Sequence, residues 1–158
     1  MTQSILHTGK ILRQLVIGQV QGIPEELFDV QPEGFNNTIR WNAGHIVYWM
    51  DTYSTLGLGA ASQIPESIKI LFNSGTQPSD WTLSPPSKEE LIDHLSVQLH
   101  RISEISPGEL DELLKPPFEM GPFRFETAGE LYNFAFFHEA IHLGTISSQL
   151  KVIQHMQS

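Results

Sequence analysis

The sequence contains no cysteine. That excludes a disulfide framework, a thiolate metal site and a cysteine nucleophile, so any metal here must be held by histidine, carboxylate or water. Basic residues are also scarce, with 9 Lys+Arg against 18 Asp+Glu and a formal charge of −9. Such a balance opposes the phosphate contacts that drive nucleic-acid binding and leaves no basic patch for anionic membranes. We therefore expect neither nucleic acid nor a membrane as partner. No run of 18 apolar residues occurs, and the opening "MTQSILHTGK" lacks the basic start and apolar stretch of a secretion signal. This reading expects a soluble cytoplasmic protein. Strand-like alternation of apolar and polar residues is nearly absent as well, which points to an all-α chain.

What is present fits a single domain over residues 1–158, since 158 residues with 40% hydrophobic content can bury a substantial core. Residues 3–21 place Ile5, Leu12, Leu15, Val16 and Val20 mostly three or four apart, the spacing of an amphipathic helix ending near Gly22. Asn37 or Thr38 can cap a second helix that runs to about Leu56 and is stopped by Gly57 and Gly59. It is apolar on nearly every side, as expected of a segment buried on more than one face. Residues 59–86, with four prolines, form a long crossover with room for a short helix at 66–72. "SKEE" from Ser87 is a capping box that opens a third long helix. "SPGE" at 106–109 announces one or two helical turns over 107–114, and "KPPFEMGPFRFE" reads as an irregular or hairpin-like connection. A further capping box at "TAGE", Thr127 to Glu130, starts a final helix expected to reach about Gln154. Four long helices with a crossover between the second and third predict a four-helix bundle.

Chemistry concentrates in "HEAIH", His138 to His142. Two histidines four apart on a helix project from one face and can reach one metal ion. A zinc protease of this pattern needs a third ligand, and the positions where one class carries Gly and His hold Thr145 and Ser148, with no Asp or Glu after Glu139. A third ligand must therefore come from upstream. His7, His94 and His100 lie at the rims of apolar stripes or on charged faces and read as solvated. His45 sits in "WNAGHIVYWMD", the most apolar helix, where an imidazole needs either a hydrogen-bonding partner or a metal.

A histidine within "NTIRWNAGHIVYW", a long crossover, and an H-x-x-x-H pair continuing as "HLGTISSQL" together resemble the DinB-like, or YfiT-like, superfamily of bacterial metal-binding four-helix bundles. The resemblance covers essentially the whole chain in length and helix order. It implies that His45, His138 and His142 ligate a divalent metal, nickel or zinc most often, and that the protein pairs as a homodimer. It further implies either a transferase using a low-molecular-weight thiol such as bacillithiol or mycothiol, or a metal-dependent hydrolase, acting on a small-molecule substrate. A non-catalytic bundle that binds metal or ligand is a third class. The family pattern needs no acid at Glu139, which could be solvated, could support a ligand, or could serve as the catalytic base of a hydrolase, with Tyr48 as the other base candidate. Arg40 or Arg124 could hold a cosubstrate's carboxylates. Trp41, Trp49, Phe134, Phe136 and Phe137 flank the site as core or as walls for a ligand. The apolar circumference of residues 39–56 suggests the dimer face, and metal affinity is expected to fall as pH drops through the ordinary histidine range near 6.5.

Overall fold

A computed structural model of the chain describes residues 1–157. Six helices and one hairpin follow in the order α1 Thr2–Gly22, α2 Ile39–Leu58, α3 Glu66–Phe72, α4 Lys88–Glu104, α5 Pro107–Leu110, β1 Leu113–Met120, β2 Phe123–Thr127 and α6 Ala128–Met156. The protein is thus mostly helical. The helix ends are set by the side chains that the sequence offers. Thr38 caps α2 by accepting from the Trp41 amide, and Gly59 closes that helix at φ +63°, a left-handed conformation that glycine adopts without a Cβ penalty. Ser87 with Glu90 and Thr127 with Glu130 form complete capping boxes that start α4 and α6.

The long helices touch in a closed ring: α1 packs on α4 and α6, and α2 packs on α4 and α6, with α3 laid against α2. From Thr38 to Val47 every residue of the α2 cap and first turns is buried. The all-round hydrophobicity of this first half of α2 is therefore covered inside the chain by α3, α4 and α6, while Leu56 near its end is exposed. One cluster of buried side chains joins Val16, Val20, Ile39, Ile46, Val47, Phe72, Leu91, Leu95 and Ile146, and a second joins Met50, Tyr53, Leu110, Leu114, Phe125, Leu131 and Tyr132.

Within this mostly helical chain the connection read as irregular or hairpin-like is a two-stranded antiparallel hairpin over residues 113–127, pairing Phe118 with Phe125, Glu119 with Arg124 and Met120 with Phe123. Its register shifts between Leu113 and Phe118, where Pro116 and Pro117 have no N–H for the ladder. The turn expected over 107–114 stops at Leu110, because Leu113 already pairs with Thr127 in the hairpin.

Candidate metal centre

His45 stands on α2, while His138 and His142 stand one turn apart on α6, the helix packed against it. The three imidazoles converge so that one ligating nitrogen from each lies within 4.8 Å of the others. Their ring centroids are 4.6 to 5.2 Å apart. His142 Nε2 and His138 Nε2 are 3.1 Å apart, close to the separation of about 3.3 Å imposed on two nitrogens by tetrahedral zinc bonds.

Two of the rings are held by acceptors on their far side. His45 Nδ1 meets the Phe72 carbonyl at the end of α3 at 2.7 Å, and His142 Nδ1 meets Asn42 Oδ1 at 2.7 Å. A carbonyl can only accept, so each Nδ1 carries the proton and each Nε2 presents a lone pair toward the cluster. That is the tautomer of a metal-ligating histidine whose orientation is fixed from behind. Asn42 is itself oriented by donating to Asn37 Oδ1, the Thr38 carbonyl and Gln149 Oε1. Gly44 lets the Phe72 ring rest on the α2 backbone, since a Cβ there would overlap that ring. This close approach is what brings the Phe72 carbonyl to His45.

Burial, which disfavours the charged imidazole, pushes His45 down to about 4 and His142 down to about 3, and it lowers His138 as well. The cluster is consequently neutral near pH 7, the protonation state that a metal requires. The donor set, the tautomers and the spacing fit a divalent cation that takes imidazole ligands.

Aromatic rings enclose the cluster along α2, where Trp41, His45, Trp49 and Tyr53 follow at four-residue intervals. Trp41 stacks on His45 at 4.3 Å, and Trp49 is T-shaped to His45 and His138 at 6.3 and 6.0 Å. Tyr53 lies 6.2 Å from His138, and Tyr48 packs on Trp49. Phe134 contacts Tyr53, whereas Phe136 is buried toward α1 and Phe137 is turned outward.

Glu139 faces away from the imidazoles. Both of its oxygens accept from Arg13, at 2.8 Å from Nε and 2.7 Å from Nη2, and the pair is buried with 0% and 2% exposure. Arg13 also donates to Gln98 Oε1, and Gln98 donates in turn to the Val47 carbonyl, so this network joins all four long helices beside the cluster. The two arginines considered for a cosubstrate are occupied elsewhere. Arg40 is buried against Asp29 at 2.7 and 2.9 Å and the Pro86 carbonyl at 2.7 Å, and Arg124 pairs with Glu119 and Glu126 on the hairpin. His7 and His100 are exposed, and His94 is half-buried on α4 outside the cluster.

Sequence reasoning missed Asn42, Gln149, Arg13 and Gln98. The available signal was polarity at positions of otherwise apolar helix faces. A groove of about 780 Å³ between α1, α6 and the hairpin is lined by Ile11, Leu15, Phe134 and Phe137 and contains none of the three histidines.

A family model described as the DinB superfamily matches residues 10–146, a span that includes all three histidines. No curated protein matches the chain significantly.

Proposed function

The chain belongs to the DinB superfamily, and from that premise we propose that His45, His138 and His142 bind one divalent metal, nickel or zinc, and that a small molecule reacts there with a low-molecular-weight thiol such as bacillithiol. The observation that carries this reading is the convergence of three neutral imidazoles, two of them with Nδ1 already held by an acceptor. When bound, the metal supplies Lewis acidity with which a thiol loses its proton at neutral pH. The rest is the work of the chain. Asn42 and the Phe72 carbonyl keep the two Nε2 lone pairs aimed inward, and the rings of Trp41 and Tyr53 pack against His45 and His138. The nucleophile must come from outside, because the protein has no thiol of its own. In the transfer, the thiolate sulfur forms a bond to an electrophilic carbon of the substrate as the leaving group departs with its electron pair.

We assign Glu139 to the Arg13 ion pair in preference to a catalytic base, since both of its oxygens are engaged there. The ring of contacts among α1, α4, α2 and α6 supports a four-helix bundle with its crossover between α2 and α4, one domain over residues 1–158. Among the described residues no helix is long and apolar enough to cross a membrane. We place the protein in the cytoplasm, where low-molecular-weight thiols are kept reduced. A homodimer would cover Ile11, Leu15, Phe137 and Ile141, apolar side chains left exposed on α1 and α6. Sedimentation at micromolar concentration should then give about twice 17.8 kDa.

The reaction is tested by incubating zinc- or nickel-loaded protein with bacillithiol and an alkyl electrophile, following free thiol and thioether by mass spectrometry. Thioether formation that needs the metal and disappears in His142→Ala supports the transferase. Ester cleavage without thiol would replace it with the hydrolase, and metal binding with neither reaction would leave a binding protein.

A further inference from the structure

The protein contains three tryptophans. Two of their indole N–H groups have acceptors: Trp41 Nε1 donates to Thr76 Oγ1 and Trp81 Nε1 to the Leu71 carbonyl, each at 3.0 Å. Trp49 differs. Its Nε1 is buried without a hydrogen-bond partner, and it is the one buried side-chain nitrogen or oxygen in that condition among the described residues. A buried donor left unpaired is unfavourable, and native proteins leave few of them without a reason.

The position of this donor supplies a reason. Trp49 lies one turn beyond His45 on the same face of α2, with its ring T-shaped to His45 and His138 at 6.3 and 6.0 Å, and its other ring neighbours are Tyr48 and Tyr53. One turn before His45, Trp41 is stacked flat on that imidazole and has its N–H engaged with Thr76. The two indoles flanking the imidazoles are thus unequal, one satisfied within the chain and the other awaiting an acceptor.

We infer that the Trp49 indole N–H is a hydrogen-bond donor to the molecule that completes the coordination of the metal held by His45, His138 and His142. This inference rests on the metal reading above and specifies the ligand. An indole N–H can donate and never accept, so the ligand must turn an acceptor toward Trp49, as a carboxylate, a thiolate or azide does. Among otherwise similar ligands, those offering an acceptor there are preferred. Trp49 acts as a specificity-determining residue and holds no metal itself.

The test uses full-length protein with 15N-labelled tryptophan. Zinc uptake is measured first, on wild type and on Trp49→Phe, which keeps an aromatic ring and removes the donor. The zinc forms are then titrated with azide, and separately with imidazole, which ligates through one nitrogen and offers no spare acceptor. We expect equal zinc affinity in the two proteins, azide affinity about fivefold to tenfold weaker in Trp49→Phe, and imidazole affinity unchanged. In wild type the indole N–H signal absent from Trp49→Phe should move downfield as azide binds, while the Trp81 signal stays in place. A Trp49 signal unmoved at saturating azide, equal azide affinities, or equal losses for azide and imidazole would overturn the inference with the metal site intact. Failure of wild type to take up zinc would overturn it together with the reading beneath it.

Discussion

Replacing Glu139 by alanine leaves the Arg13 guanidinium, 0% exposed, with only Gln98 Oε1 and the Leu95 carbonyl as acceptors and no counter-charge. Removing one partner of a buried pair costs about 3–5 kcal/mol, because the remaining ion is still desolvated. For a domain of this size that corresponds to a fall in Tm of about 10–15 °C. Glu139→Gln keeps the shape and one acceptor, so it should lose less, about 2 kcal/mol. The double substitution Arg13→Met with Glu139→Met removes both desolvation penalties and should return stability close to wild type. Urea unfolding of the metal-free proteins, followed by circular dichroism, reads all three. Glu139→Gln should still bind metal, since its carboxylate is not among the converging ligand atoms. A loss below about 1 kcal/mol in Glu139→Ala would refute the reasoning, as it is the value of a solvated surface pair.

Asn42→Leu removes the acceptor behind His142 Nδ1 and should weaken metal binding about 10- to 100-fold in a competition titration with a chelating dye. Gly44→Ala drives a methyl group into the Phe72 ring and should destabilise the protein by about 1–3 kcal/mol, read as a lower urea midpoint. The pH dependence follows from His45 and His142, lowered by burial to about 4 and about 3 from an unfolded value of 6.5. The unfolded chain then binds more protons than the native one between these values. Stability of the metal-free protein is therefore full above pH 6.5 and is lost as pH falls toward 4, which a series of thermal melts would follow. Metal affinity should likewise hold to well below the 6.5 expected of ordinary histidines, and a half-loss at 6.5 would contradict the burial of the cluster.

Much of this was legible locally. Thr38, Ser87 and Thr127 announced three helices because a cap acts over three residues. His138 and His142 declared a shared face through their spacing alone, and His45 was marked by the apolar helix around it. What depended on contacts distant in sequence was hidden. Arg13 interrupts the apolar stripe of α1, but its partner Glu139 lies 126 residues on, so the pairing could not be read from either segment. Asn42 was visible as a polar residue in apolar surroundings, but its partner His142 lies 100 residues on. The hairpin was legible only as one of two readings, irregular or hairpin-like, because Pro116 and Pro117 interrupt the alternation of β1. The apolar circumference of α2 did not say which elements would cover it, and over residues 38–47 three helices of the same chain do so.

The central claim is that one metal is held jointly by α2 and α6, and its most direct test is metal stoichiometry and affinity in protein purified without a histidine tag. Wild type, His94→Ala and His100→Ala should each carry one divalent ion per chain with equal affinity, since His94 and His100 lie outside the cluster. His45→Ala, His138→Ala and His142→Ala should each fall by at least about 100-fold, because two imidazoles and water replace three imidazoles. Stoichiometric metal at unchanged affinity in His45→Ala would contradict the account.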